Sequence, residues 1–140
     1  MTTNTIFRHG TAQRNQPRIG NPTDNFSDWV YSLRSKVNDG FVSFDIDSVL
    51  WNYKRKAFCY IEVKTKNAPL SYCQQKQYPI LQSILKSGAT NEGYIFKGFF
   101  VLTFENTCFA DGTATIQAIG KDVVKPCTEQ ALINWLQANI

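Results

Sequence analysis

Two acidic residues and a Glu-x-Lys pair interrupt neighbouring apolar segments of the chain. Asp45 and Asp47 lie in the first segment, and Glu62 and Lys64 lie in the second. Both segments are rich in aromatic and β-branched residues, which predicts two β-strands. Because side chains alternate between the two faces of a strand, Asp45 and Asp47 share a face, and so do Glu62 and Lys64.

The polar segment 52–56 between these strands is predicted to form a hairpin turn. If the turn centres near Tyr53 or Lys54, the two aspartates lie opposite Glu62 and Lys64. All four charged side chains then converge on one patch. The apolar side chains between them point to the other face, so the core pattern of both strands is kept.

Clustered carboxylates repel one another unless a positive charge lies between them. Lys64 supplies one positive charge, and a divalent cation supplies more. Carboxylate oxygens with water suit Mg²⁺ or Mn²⁺, which can generate a hydroxide nucleophile and stabilise charge on a phosphoryl oxygen. The cluster therefore predicts phosphodiester hydrolysis. The alternative is a solvent-exposed face of the hairpin on which Lys64 forms a salt bridge with Asp47.

The predicted elements that must position this cluster alternate between helices and strands. Asn25, Ser71 and Thr128 are the expected N-caps, and Pro79 is expected to kink or split the second helix. In order, we predict a helix over 25–37, strands over 41–51 and 57–66, a helix from 71 to about 85, a loop over 87–93, strands over 99–104 and 113–119, and a C-terminal helix. This order predicts an α/β (α+β) fold with a central mixed sheet flanked by helices.

Length and composition predict one domain with a sizeable core. The chain has 140 residues, of which 43% are hydrophobic and 19% charged, with a formal net charge of +4. We expect a single domain over 25–140, preceded by a basic arm over 1–24. The arm is interpreted as flexible, with phosphate tracking as the alternative. No segment is apolar enough to span a bilayer or act as a signal peptide, so we expect a cytoplasmic protein without a membrane partner.

The order of these motifs resembles the PD-(D/E)xK nuclease superfamily over about residues 25–104. The resemblance rests on Asp45-Ile46-Asp47, the hairpin and Ile61-Glu62-Val63-Lys64, followed by a helix. It implies a restriction-endonuclease-like core and a metal-dependent DNA endonuclease. Asp47 and Glu62 would bind Mg²⁺, for which Mn²⁺ can substitute, and Lys64 would assist the nucleophile. Asp45 is the rival of Asp47 for the first metal ligand.

Some branches of that superfamily carry a glutamine and a tyrosine on the helix after the Glu-x-Lys pair. Gln74 and Tyr78 fit this pattern one helical turn apart, and Gln74 is added to the candidate catalytic set. The alternative is a surface glutamine and a core tyrosine. The sequence departs from the family at the first helix, where only Asp24 or Asp28 could stand for the frequent glutamate, and no proline precedes either aspartate.

Basic residues on the hairpin turn, and others that flank the cluster, are candidates for contacts with nucleic-acid phosphates. The predicted nucleic-acid-binding residues are Lys54, Arg55, Lys56, Lys66, Lys76 and Tyr78. The implied partners are DNA and further copies of the chain, in a homodimer or higher homo-oligomer, since one site cuts one strand. By resemblance, the protein would come from a phage or mobile element, without a small-molecule cofactor.

Two other classes of function stay open at this stage. One is a nucleic-acid-binding or assembly protein that keeps the nuclease fold without catalysis. The other is a metal-independent interaction domain. The latter predicts that Asp47 and Glu62 are exposed and lie apart.

Overall fold

The computed structural model describes residues 28–40, 42, 44 and 46–140. The predicted arm over 1–24, the N-cap Asn25 and the candidate ligand Asp45 lie outside these residues. The described elements are α1 (residues 28–32, continuing into the 3-10 turn Leu33–Ser35), β1 (Ser48–Asn52), β2 (Ala57–Lys64), α2 (Tyr72–Asn91), β3 (Ile95–Phe104), β4 (Ala114–Ala118), β5 (Lys125–Pro126) and α3 (Glu129–Asn139). The expected α+β fold with a mixed sheet and flanking helices is confirmed at this level.

The five strands form one sheet in the order β1-β2-β3-β4-β5. β2 and β3 are parallel, and every other neighbouring pair is antiparallel. A parallel pair needs a crossover connection, and α2 supplies it. The crossover places α2 on one face of the sheet, above the strand that carries Glu62 and Lys64.

The register of the β1–β2 hairpin agrees with the sequence prediction. Ser48 pairs with Ile61, and Asn52 pairs with Ala57, so the hairpin centres between Lys54 and Arg55. The side chain of Asn52 accepts the backbone N–H groups of both turn residues at 3.0 Å, which closes the turn. The described part of β1 is shorter than the predicted strand over 41–51.

β2 divides its side chains between two separate cores. The core on the α3 side contains three odd-numbered residues of β2, residues of β3 and β4, and one residue on either side of α3: Ala57, Cys59, Ile61, Leu102, Phe104, Ala114, Cys127 and Ile140. The core on the α2 side contains Phe58, Tyr78, Ala89, Phe96, Phe99, Val101 and Ile119. Glu62 and Lys64 share the parity of Phe58, so they point to the α2 side.

A bulge in β3 sets which aromatic residues meet α2. Phe58 pairs with Phe96 while Tyr60 pairs with Phe99, so β3 holds one extra residue in this interval. Gly98 lies in the bulge with a φ of +123°, a conformation that favours glycine. The extra residue turns both Phe96 and Phe99 toward α2, although they are three positions apart.

Helix α2 is longer than the sequence predicted and is not split. It runs through Pro79, which is exposed, to Asn91. The expected loop over 87–93 is therefore wrong for residues 87–91. Buried Ala89 packs in the core on the α2 side, and this tertiary contact outweighs the weak helix propensity of the Ser-Gly segment before it.

Two further features complete the fold. The cap Thr128 accepts the N–H of Ala131 at 3.1 Å, which confirms the predicted start of α3. The short strand β5 was not predicted, because a two-residue strand carries no periodic signal. No helix in the described part of the chain is long and apolar enough to cross a membrane.

Candidate active site

Asp47 lies just before β1, half-buried, on the edge of the sheet. Its Oδ2 atom accepts the backbone N–H of Val63 at 2.7 Å. Continuing the β1–β2 register by one residue beyond the Ser48–Ile61 pair places Asp47 opposite Glu62. The structure therefore brings together the acid before the hairpin and the acid after it, as strand parity and the position of the turn predicted.

Glu62, Lys64 and Gln74 form a connected polar group between β2 and α2. The Glu62 side chain is fully buried, and Lys64 is 4% exposed. Lys64 Nζ lies 3.4 Å from Glu62 Oε1 and donates to Gln74 Oε1 at 2.9 Å. Gln74 Nε2 donates to Glu62 Oε1 at 2.8 Å. One amide thus holds both members of the ion pair.

The start of α2 holds Gln74 in place. The side-chain oxygen of Ser71 accepts the N–H of Gln74 at 3.2 Å, and Gln74 Oε1 accepts the N–H of Ser71 at 2.9 Å. This reciprocal pair is a capping box. Gln74 Oε1 is therefore shared between the helix cap and Lys64, and the beginning of α2 sets the position of the lysine.

Ser71 is a positioning residue that the sequence reasoning recognised only as a helix cap. The Ser-x-x-Gln spacing of Ser71 and Gln74 is itself the signature of a capping box. That spacing could have predicted that the Gln74 side chain is hydrogen-bonded at the start of α2, with its amide NH2 group directed toward β2.

Tyr78 is completely buried one helical turn after Gln74. Its ring packs on Phe99 at 4.3 Å and meets Phe44 edge-on at 5.7 Å. Burial, and then the nearby charge of Glu62, raise the pKa of Tyr78 far above its usual range. The prediction that Tyr78 contacts nucleic acid is wrong, because a side chain with no exposed surface cannot touch a substrate. The alternative reading of a core tyrosine holds, with a polar end at Glu62 and Gln74.

The electrostatics of the site centre on the two carboxylates. Burial, and then the charge of Glu62, raise the pKa of Asp47 from 3.8 to about 7, against the opposing effects of the Val63 N–H and of Lys64. Two carboxylates this close resist joint ionisation unless a cation lies beside them. The donor set of hard oxygens and the repulsion between them both fit a divalent cation. Within residues 28–40, 42, 44 and 46–140, no group of three His, Cys, Asp or Glu side chains could hold a metal ion.

The hairpin turn lies away from this cluster. The turn residues precede β2, and the five residue steps from Ala57 to Glu62 alone correspond to roughly 17 Å. Arg55 donates to the carbonyls of Gln137 and Ala138 at 2.6 and 3.1 Å, so its guanidinium caps the end of α3. Lys54, Arg55 and Lys56 therefore lie on the hairpin turn, as the sequence predicted, and not beside the carboxylates.

The other basic candidates lie at the same end of β2 as the carboxylates. Lys66 follows Lys64 in a left-handed conformation and donates its N–H to the Asn106 carbonyl at 2.9 Å. Lys76 lies on the first turns of α2 with its ammonium 5.5 Å from the ring centre of Tyr72. Both lysines are exposed.

Two acids are the candidates for a metal ligand on the first helix. Asp28 is exposed in α1, and Asp24 lies outside the described residues. Asp45 likewise lies outside them, so the structure places only Asp47 among the two rivals.

Comparison with protein-family models, with curated proteins and with solved structures finds no match to this chain.

Proposed function

We propose that this protein is a metal-dependent DNA endonuclease with a PD-(D/E)xK-type site and a restriction-endonuclease-like core. The observation that carries the proposal is the juxtaposition of Asp47, Glu62 and Lys64 beneath the start of α2. Asp47 Oδ2 accepts the backbone N–H of Val63, the residue that follows Glu62 in β2. Lys64 Nζ lies 3.4 Å from Glu62 Oε1.

The energetic cost of this arrangement supports a functional role. Removing a carboxylate and an ammonium from water costs several kcal/mol per ion, and hydrophobic residues of the same volume often stabilise a fold as well or better. Glu62 and Lys64 are nevertheless buried on strands whose other side chains are mostly apolar. A second acid, Asp47, adds like-charge repulsion to this cost. A site that binds a cation explains both the burial and the repulsion.

Asp47 and Glu62 are the residues that would hold Mg²⁺, and Mn²⁺ can substitute. When bound, the metal supplies Lewis-acid stabilisation of a phosphoryl oxygen and lowers the pKa of a water nucleophile. Lys64 would orient that water or balance charge on the phosphate. Gln74 fixes Lys64 and Glu62 relative to each other, so its role is to position them.

The site has the composition of a single-strand cleavage centre. Cleavage of both strands of a duplex would therefore require two copies of the chain, and we propose a homodimer for that reaction. Exposed Lys66 and Lys76, at the same end of the sheet, would contact phosphates on either side of the cleaved bond.

The experiment that tests the proposal is a cleavage assay with matched variants. Supercoiled plasmid, single-stranded DNA and a branched duplex are incubated with wild type in Mg²⁺, Mn²⁺ or EDTA. Glu62→Gln is the test variant, and Glu92→Gln makes the same chemical change at the exposed C-cap of α2. We expect metal-dependent cleavage that Glu62→Gln reduces by about 100-fold or more and Glu92→Gln leaves unchanged.

The assay also separates the proposed enzyme from a binding protein with the same fold. Absence of cleavage on every DNA, together with tight DNA binding in EDTA, would favour the binding or assembly protein. Equal cleavage by wild type and Glu62→Gln would show a contaminating nuclease and remove the support for this site.

A further inference from the structure

An exposed aromatic surface lies on the same face of the sheet as the carboxylates. Trp51 is at the end of β1 and 53% exposed. Its ring rests on Phe58 at 4.7 Å and on Tyr94 at 4.6 Å between centroids. Two buried or half-buried rings therefore hold one side of the indole, while the rest of it is open to solvent.

Lysines border this surface. Lys56 Nζ lies 5.3 Å from the ring centre of Tyr94, and Lys54 Nζ lies 6.0 Å from the ring of Tyr53, which is 69% exposed. Glu92 is the nearest acid along the chain to Tyr94. The surface thus combines exposed aromatic rings with two long cationic side chains. In proteins that bind unpaired nucleotides, such rings stack on the bases and such cations contact the phosphates.

The strand geometry connects this surface to the candidate active site. Trp51 and Asp47 have the same parity on the edge of the sheet, with half-exposed Val49 between them. Four residues of strand correspond to about 13 Å. This distance matches roughly four stacked nucleotides at 3.4 Å along one strand. A base stacked on Trp51 and a phosphate at Asp47 could therefore belong to the same short single-stranded segment.

We propose that Trp51 is a stacking platform for an unpaired base and that the substrate is DNA with a single-stranded segment. The inference rests on the proposed function for the role of the segment in cleavage, but base stacking itself can be measured without cleavage. Tyr94 supports the platform from the side, and Lys54 and Lys56 contact the phosphates. Arg55 is excluded from this role because it caps α3.

The test is a binding measurement in EDTA, where a metal-dependent nuclease is inactive. Fluorescence anisotropy follows a labelled short oligothymidylate and a labelled blunt duplex. Trp51→Leu keeps apolar cover over Phe58 but removes the indole, Trp51→Phe keeps an aromatic ring, and Trp135→Phe is the control on the opposite face of the sheet, where Trp135 packs on Phe100. We expect Trp51→Leu to weaken oligothymidylate binding about 5- to 150-fold, from the usual strength of one base–aromatic stack.

The control variants and the duplex show, in the same measurement, whether Trp51 acts by stacking on a base. Trp51→Phe should retain most of the affinity, and Trp135→Phe all of it. Duplex affinity should change less than about twofold in every variant. Unchanged oligothymidylate binding by Trp51→Leu, or an equal loss for both DNAs, would overturn the proposal. Failure of wild type to bind the oligothymidylate would do the same.

A second measurement covers the case in which Trp51→Leu fails to fold. In a Trp29→Phe, Trp135→Phe background Trp51 is the remaining tryptophan. Saturable quenching of its fluorescence by oligothymidylate, without quenching by the duplex, supports stacking, and absence of quenching overturns it. If Glu62→Gln loses cleavage but Trp51 does not contribute to oligothymidylate binding, the proposed nuclease is supported and base stacking on Trp51 is overturned. Stacking on Trp51 in a protein that cleaves no DNA would do the reverse.

Discussion

The two faces of the sheet bury different kinds of side chain from the same strand. On the α3 side, β2 contributes Ala57, Cys59 and Ile61 to an apolar core. On the α2 side, it begins with Phe58 and ends with Glu62 and Lys64 in a buried polar network. Neighbouring residues only one position apart therefore serve packing on one face and chemistry on the other.

The α3 side of the sheet also contains a cavity, which is separate from the candidate active site on the α2 side. A cavity of about 440 Å³ lies between the sheet and α3, with Ile61, Phe100 and Trp135 among its lining residues. The lining is mostly apolar. The comparison shows that burial by itself does not define the site, because both faces are buried at β2 and only one places carboxylates together.

The largest expected effect comes from changing Glu62 without changing its size. Glu62→Gln should reduce metal-dependent cleavage by about 10²- to 10⁴-fold, because a neutral amide is a poor metal ligand and no longer pairs with Lys64. Single-turnover cleavage of the preferred DNA measures it. Cleavage by Glu62→Gln within tenfold of wild type would contradict the assignment of the chemistry to the α2 face of the sheet.

Removal of the buried lysine should affect both the fold and the reaction. Lys64→Ala leaves the Glu62 carboxylate buried without its ion-pair partner, which costs about 3–5 kcal/mol in the free energy of unfolding. The double variant Glu62→Gln, Lys64→Met should regain most of that stability but no activity. Urea unfolding of the two variants measures the coupling. A Lys64→Ala variant as stable as wild type would show that the pair is not buried in solution.

The residue next to Glu62 supplies the matched test on the other face. Ile61→Ala should lower the free energy of unfolding by about 2–4 kcal/mol, since it enlarges space in an apolar core. The cleavage rate per folded molecule should stay within about twofold of wild type, because Ile61 faces away from the carboxylates. A large loss of cleavage at a temperature where Ile61→Ala is folded would break the separation of the two faces.

The smallest expected effect is a pH dependence that belongs to Asp47. Burial, and then the charge of Glu62, raise the pKa of Asp47 to about 7, whereas the pKa of an ordinary aspartate is 3.8. Between these values the unfolded chain binds fewer protons than the folded protein, so the free energy of unfolding decreases as pH rises from about 4 to 7. Asp47→Asn should reduce this dependence and raise Tm in EDTA at pH 8 by about 3 °C.

Thermal melts in EDTA at pH 5 and pH 8 measure the effect of Asp47→Asn. In wild type, Mg²⁺ should raise Tm more at pH 8 than at pH 5, because a cation binds the ionised carboxylate. This Mg²⁺ effect should be absent in Asp47→Asn. A Tm difference between the two pH values that is the same in both proteins would assign the titration to another group.

The sequence predicted the pieces of the site that depend on short-range rules. Strand parity predicted that Glu62 and Lys64 share a face, and the turn over 52–56 predicted their position opposite Asp47, in agreement with the register. The sequence left open whether Tyr78 contacts nucleic acid or lies in the core, since spacing along a helix does not say how deeply that face is packed.

Helix α2 shows the same division. Ser71 determined where the helix begins, because a cap acts on the N–H groups three residues away. Its end at Asn91 depended on Ala89 packing against residues of β2 and β3, which no local rule predicts. The passage of α2 through Pro79 likewise required contacts on both sides of the proline to hold the helix together.

The sequence by itself determined alternation, caps and the centre of the hairpin, because these arise between residues that are near one another along the chain. The tertiary structure decided which polar side chains are buried, that Gln74 bridges Glu62 and Lys64, and that Trp51 stays open beside Tyr94. It also decided the raised pKa of Asp47. Burial and electrostatic interactions sum over groups brought together from distant segments, so they exist only once the parallel pair of β2 and β3 has placed α2 over the sheet.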